Sequence, residues 1–208
     1  MKGLLIKDFM ILRKHCLVNV LVSLIFFAIS ILSYESMYFA YYSVAIFSVV
    51  SITLFAYDES YRWNRFECVL PLKRSTVVNE KYLFLLTIVI PAVLIESICF
   101  GIRFHLDKSD LISLMSLMLF YGFVSPIIVI PILFKFGFVK GKMINMLVIA
   151  IMASAITVIN FKNSADGLML EGYFTPQRDA VLFAVLAVIL LFISWIISRI
   201  IYSKKQFY

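Results

Sequence analysis

The chain has 208 residues, of which 63% are hydrophobic and only 15% are charged, and its mean hydropathy is +1.01. This composition excludes a water-soluble globule and indicates an integral membrane protein. The net charge of +7 is spread over the connections between apolar runs, so it does not predict a nucleic-acid-binding surface.

Six apolar runs are long enough to cross a bilayer as helices, because a hydrocarbon core about 30 Å thick needs roughly 20 apolar residues. In chain order we predict spans over about 16–34, 38–57, 82–104, 111–134, 143–161 and 180–202. The longest polar stretches between them, 58–81 and 162–179, are too short for a second domain. The predicted fold is therefore an all-α integral membrane protein, with a single transmembrane domain over 1–208.

The basic residues predict the orientation of these spans, because short cytoplasmic loops carry an excess of Lys and Arg. Fifteen of the nineteen lie on the side of the two termini, and the other four are Arg103, Lys108, Lys162 and Arg178. Both termini of this multi-pass protein are therefore predicted to be cytoplasmic. We expect it in a plasma membrane, and a bacterial one.

The amino-terminal segment before the first span is predicted to form an amphipathic interfacial helix. Leu5, Phe9 and Leu12 fall along one face, while lysines occupy other positions around the helix. Either a lipid anchor or a contact with a partner protein accounts for this pattern.

The connection between the second and third spans, residues 57–83, carries the most informative pattern. Asp58 is a favourable N-cap residue with Glu59 in the first turn, and Pro71 ends a helix by removing a hydrogen-bond donor. We therefore predict a short cytoplasmic helix from about 59 to 70.

Apolar and basic side chains lie on different sides of this predicted helix. Trp63, Phe66 and Leu70 form the apolar face, and Arg62 and Arg65 lie toward the other side. The pattern fits a helix at the membrane surface, or a docking surface for a cytoplasmic partner.

The order of residues in this connection resembles that of the small six-span ABC-2 type transporter permeases, the membrane subunits of ABC exporters. The matching positions are Tyr57, Asp58, Glu59, Trp63, Arg65, Leu70, Pro71, Arg74, Lys81, Tyr82 and Leu83. The opening MKGLLIKDF and the predicted number of spans are also similar to that family. The likeness covers the whole chain in architecture and these two segments in motif.

This resemblance implies a permease subunit that forms the pathway of an ATP-driven exporter, as a dimer with a second copy or a paralogue. ATP and Mg would bind to separate ATP-binding-cassette subunits, which contact the helix over 59–70 and the amino-terminal helix. The expected substrates are amphipathic or hydrophobic, such as antimicrobial or cytolytic peptides.

No catalytic, cofactor-binding or metal site is expected in the chain itself. The stretch GFVKGK at 137–142 has three residues between its glycines where a phosphate-binding loop has four, and is predicted to be a flexible basic turn. His15 and His105 fall on opposite sides of the predicted membrane, which argues against a shared metal site or catalytic pair.

Two features inside the spans are candidates for a role in packing or transport. Glu96 is the main ionisable residue within a span and is predicted to face protein or a polar cavity, because a carboxylate in lipid is costly. Ala150, Ser154 and Thr157 allow close helix approach in the fifth span. The resemblance and these small residues predict a dimer contact through the first and fifth spans.

Three classes of function are compatible with this architecture. The resemblance favours an exporter permease. A membrane sensor or immunity protein that binds a membrane-active peptide without transport is the alternative. A secondary carrier is disfavoured by the shortage of ionisable residues inside the spans.

Overall fold

A computed structural model describes residues 2–15, 17–32, 38–61, 63, 74–165 and 177–204, without the side chains of 2, 15, 155–165 and 177–180. The described residues contain no strand and form seven helices. They are α1 (Lys2–His15), α2 (Leu17–Leu32), α3 (Phe39–Ser60), α4 (Arg74–Phe104), α5 (Lys108–Phe136), α6 (Phe138–Ala165) and α7 (Gln177–Lys204). The predicted all-α class is confirmed for this part of the chain.

Four helices are long and apolar enough to cross a membrane by themselves: α3, α4, α5 and residues Val181–Lys204 of α7. The predicted first span corresponds to α2, which has 16 residues and qualifies only when joined to α1, from which it is bent by 70°. The predicted fifth span lies within α6, whose side chains are described only as far as Ser154. The described residues thus hold four or five candidate spans, and six spans stay a prediction.

The predicted helix start at Asp58 is wrong. Asp58 and Glu59 belong to the last turn of α3, which continues to Ser60, and the Tyr61 N–H donates to the Tyr57 carbonyl. No Gly or Pro interrupts the chain here, so the spanning helix simply extends past its apolar part. Apart from Glu59, Ser60, Tyr61 and Trp63, the predicted helix over 59–70 lies outside the described residues.

The stretch GFVKGK is likewise not a flexible turn along its whole length. Only Gly137 stands between α5 and α6, with a φ of +83° that favours glycine. The remaining residues begin α6, and Gly141 is buried against Leu133 of α5.

α5 lies in the middle of the bundle, where it packs against α3, α4, α6 and α7. Its approach to α3 and α4 is closest at Gly122, where an added Cβ would meet Val44 Cγ1 at 2.7 Å and Val89 Cγ1 at 3.0 Å. The absence of a side chain at Gly122 therefore permits this helix crossing.

A proline in α5 leaves a backbone carbonyl of that helix without its usual hydrogen-bond donor, and a serine of α7 supplies one. Pro131 has no N–H, so the carbonyl of Ile127 loses its helical partner, and Ser194 Oγ donates to that carbonyl at 2.7 Å. Tyr82 of α4 shares hydrogen bonds with Ser194 at 2.7 Å and Ser198 at 2.8 Å. These contacts join α4, α5 and α7 through hydroxyl groups.

Candidate functional site

Four charged side chains form a closed ring of ion pairs where α1 meets the end of α3 and the first turns of α4. Lys7 Nζ lies 3.0 Å from Asp8 Oδ1 and 2.8 Å from Asp58 Oδ1. Lys81 Nζ lies 2.9 Å from Asp8 Oδ2 and 2.6 Å from Asp58 Oδ2. Each carboxylate therefore contacts both ammonium groups. We call these four residues the ion ring.

Three members of the ion ring are buried, with Asp8 fully covered, Lys81 3% exposed and Asp58 5% exposed. Burial of charge is costly unless each charge is paired, and removal of one partner from a buried pair costs about 3–5 kcal/mol. Because the ring has two positive and two negative groups, its charges compensate within the protein. The middle of α1, the end of α3 and the first turns of α4 are thus joined through polar contacts that tolerate little displacement.

Glu80 lies beside the ion ring and is 1% exposed. No described N–H or O–H donor reaches its carboxyl oxygens, and Lys81 Nζ is 3.7 Å away. Burial of a carboxyl group without a donor disfavours its charged form.

Aromatic rings cover both ammonium groups of the ion ring. Lys7 Nζ lies 4.6 Å from the ring centre of Trp63, and Lys81 Nζ lies 5.5 Å from that of Phe55. Trp63 follows α3 in the chain, so this contact connects the segment after α3 with α1.

The residues predicted to contact an ATPase fall into three groups. Asp58 is engaged in the ion ring, whereas Glu59 is exposed and accepts a hydrogen bond from the Phe138 N–H, 2.6 Å away, at the start of α6. Trp63 is half-buried over Lys7. The residues outside the described part are Arg62, Arg65, Phe66 and Leu70. The ATPase contact stays a prediction.

A cleft of about 130 Å³ opens beside the ion ring. It lies between the end of α3, the start of α6 and the end of α7, and its lining includes Asp58, Lys81, Gly137 and Tyr202. Polar and apolar groups therefore meet at one recess on this end of the bundle.

The amino-terminal helix packs against the bundle. Leu5 and Leu12 contact an apolar cluster that includes Leu54 and Phe84, and the rings of Phe9 and Phe84 are 5.3 Å apart. Phe9 nevertheless remains 46% exposed. One face of α1 is thus held by α3 and α4, while part of its apolar surface stays open.

Glu96 is 6% exposed and belongs to a polar chain between α2, α3 and α4. Ser43 Oγ donates to Glu96 Oε1 at 2.7 Å, and Ser23 and Ser43 contact each other at 3.2 Å through their hydroxyl oxygens. On α6, Ala150 and Ser154 are exposed, whereas the side chain of Thr157 lies outside the described residues. The dimer contact predicted there stays a prediction.

Sequence reasoning missed Asp8 and Glu80, and it named Lys81 only as a position of the family motif. Asp8 stands three residues after Leu5 and four before Leu12, so an acidic residue interrupts the apolar face of α1. That interruption was a usable signal of a buried partner. The identity of the partner was not predictable, because Lys81 is 73 positions away along the chain.

The long apolar helices, packed in one bundle, are those of an integral membrane protein. The family model described as ABC-2 family transporter protein matches residues 3–203. The chain belongs to this family, which confirms the resemblance seen in the sequence. No curated protein and no solved structure matches the chain. Membership implies a permease subunit of an ABC transporter, which pairs with ABC ATPase subunits.

Proposed function

We propose that the chain is the permease of an ATP-driven exporter, and that it forms the translocation pathway with a second copy or a paralogue. Its termini face the cytoplasm, where separate ATP-binding-cassette subunits bind ATP and Mg and carry out hydrolysis. The substrate is amphipathic or hydrophobic, with membrane-active peptides as the leading class. Family membership and the distribution of Lys and Arg support this proposal.

The ion ring is the single observation that carries the mechanism. A motion imposed by an ATPase on the segment around Trp63 reaches Lys7 through the ring contact of 4.6 Å. Lys7 is tied to α3 through Asp58, and Asp58 is tied to α4 through Lys81. Displacement of one of these helices therefore pulls on the other two, because separation of these charges in a buried site is costly.

The cleft beside the ion ring supplies a seat for an ATPase side chain. It is bordered by Glu59 and Phe138, whose hydrogen bond fixes the end of α3 to the start of α6. A partner residue placed there lies among residues of five helices, α3 to α7. Glu59 therefore helps to hold the two helix ends that border the cleft.

The test is the substitution Trp63→Ala. The matched control is Phe183→Ala, because Phe183 lies near the start of α7, whereas the end of α7 lines the cleft. Burial of a large apolar side chain is worth roughly 1.5–3 kcal/mol, so loss of Trp63 should weaken ATPase binding about tenfold or more. Binding is measured with the purified permease in nanodiscs and an ATP-binding-cassette ATPase from the same organism. Peptide-stimulated ATP hydrolysis is measured on the same samples.

Phe183→Ala should bind the ATPase as the unmodified chain does. Normal ATPase binding and export by Trp63→Ala would return Trp63 to the role of a membrane-surface anchor. A chain that binds membrane-active peptides but no ATPase would instead support the sensor or immunity function.

A further inference from the structure

A second polar site lies at membrane depth, in a crevice of about 320 Å³ between α1, α2, α3 and α4. Its walls include Phe27, Phe47 and Ile88. Leu24 and Ile95 also line it and are 53% and 59% exposed, so the crevice opens on the outer surface of the helix bundle. These residues belong to apolar helices, and the opening therefore faces lipid.

The inner side of the crevice is polar. Ser23, Ser43 and Glu96 line it together, and Ser43 Oγ donates to Glu96 Oε1 at 2.7 Å. The second carboxyl oxygen, Glu96 Oε2, is buried and has no hydrogen-bond partner among the described residues. None of the lining residues is basic, so no cation of the crevice itself pairs with this carboxyl.

Glu96 therefore differs from the acidic groups of the ion ring, which have lysine partners. A carboxyl at this depth is costly without a partner, and residues of this kind inside membranes commonly mark ligand or ion pathways. The unpaired oxygen calls for a hydrogen-bond donor, and a negative carboxylate favours a positively charged one.

The remaining lining defines the rest of the ligand. Nine of the thirteen lining residues are apolar, which favours a hydrocarbon body over a hydrated ion. Thr87 and Glu96 border the crevice nine residues apart on α4, a separation of roughly 14 Å along a helix. The volume lies at the lower end of that of small-molecule sites.

We propose that this crevice binds lipophilic ammonium compounds, with the hydrocarbon body along α4 and the ammonium group donating to Glu96. The inference deepens the proposed function by naming the chemical class of its substrate. It rests on that function only for transport, since binding requires the permease alone. An amphipathic peptide with a lysine side chain belongs to the same chemical class.

The experiment compares decylamine with decanol, which has the same chain but no positive charge. Radiolabelled ligand is bound to the full chain in nanodiscs, and binding to empty nanodiscs is subtracted. A hydrogen bond to a charged group is worth about 1.5–3 kcal/mol, so Glu96→Gln should weaken decylamine binding about tenfold to a hundredfold. Decanol binding should change by less than about threefold.

Two further variants make the result specific. Ser97→Ala is the matched control, because Ser97 is buried on the same turn, bonds to the Leu94 carbonyl and does not line the crevice. It should bind decylamine normally. Ala92→Phe places a large side chain in the crevice one helical turn from Glu96, and it should reduce binding of both ligands.

Equal decylamine binding by the unmodified chain and Glu96→Gln would overturn the proposal. Unchanged binding in Ala92→Phe would also overturn it. So would crosslinks between two copies through Ile95→Cys that decylamine leaves unaffected, because a second copy would then cover the crevice in place of the ligand. Failure here leaves ATPase binding intact, whereas failure of the exporter function removes ATPase binding and leaves decylamine binding intact. The two proposals are thus separately testable.

Discussion

Lys81 is the residue on which the ion ring most depends. Its ammonium group contacts Asp8 and Asp58 and is almost fully buried, whereas the side chain of Lys7 is 18% exposed. Loss of Lys81 leaves two buried carboxylates with a single lysine between them. The positive charge at this position is therefore a structural requirement, in addition to any part it has in coupling.

We predict that Lys81→Met destabilises the protein by about 3–5 kcal/mol, because it leaves buried charge uncompensated. The matched control is Lys142→Met, since Lys142 is exposed on α6. Thermal unfolding in detergent should show a clearly lower Tm for Lys81→Met alone. Equal Tm values for the two variants would show that the ion ring adds no stability.

The second prediction at this scale concerns the close helix crossing at Gly122. An alanine there places Cβ 2.7 Å from Val44 Cγ1, a distance that forces α3 or α5 to shift. We expect Gly122→Ala to cost about 1–3 kcal/mol, as overpacking of a filled core does. Gly3→Ala is the control, since nothing lies within 4 Å of its added Cβ. The unfolding midpoints of both variants are compared. Unchanged stability of Gly122→Ala would mean that the helices can separate enough at this crossing to hold a methyl group.

At the scale of elements, the charged residues explain why the predicted spans were shorter than the helices. Glu80 and Lys81 interrupt the apolar run, so the third span was predicted to begin at 82, yet α4 begins at Arg74. A hydropathy pattern counts each charge as exposed to lipid or water. It has no means of showing that Lys81 is neutralised by α1 and α3, and the same limit applies to Asp58 at the end of α3.

α1 is the element whose attachment depends most on these charges. It contacts α3 and α4 through the ion ring and through a small apolar cluster that contains Leu5 and Leu12. Its opposite face is open, with Ile6 55% and Met10 68% exposed. The helix is therefore held along one side only.

We predict that Asp8→Asn loosens α1 while the bundle remains folded. The amide keeps the shape of the side chain but removes the negative charge that pairs with both Lys7 and Lys81. Hydrogen exchange followed by mass spectrometry should show amides of residues 2–15 exchanging about tenfold or more faster, with α5 unchanged. Asp110→Asn, at the start of α5, serves as the control. Unaltered protection of α1 would assign its attachment to the apolar cluster.

For the whole molecule, composition and apolar run length were sufficient to predict an all-helical membrane protein, because both depend on local sequence. The motif in residues 57–83 was sufficient to indicate the family that the match over 3–203 confirms. The contacts that define the two candidate sites were not predictable. Ser43 and Glu96 are 53 positions apart, and only the folded bundle brings them together.

The assembly of two chains is the last step that the sequence predicts. α6 packs against α5 and α3 on one side, through contacts such as Ser125 Oγ to Asn145 Oδ1 at 2.6 Å and Tyr42 Oη to the Ala153 carbonyl at 3.0 Å. Its other side is exposed, with Ala150 and Ser154 as small residues at adjacent turns. Small residues allow helix backbones to approach closely within a membrane.

We predict that Ala150→Cys forms crosslinks between two copies of the chain, in a variant whose three native cysteines are replaced. Leu94→Cys is the matched control, because Leu94 is 44% exposed on α4, a helix that is not part of the predicted contact. Oxidative crosslinking in native membranes, read on non-reducing gels, should give dimers with Ala150→Cys and monomers with Leu94→Cys. The reverse result would place the dimer contact on α4, and a second copy would then stand next to Glu96 and close the crevice from the lipid.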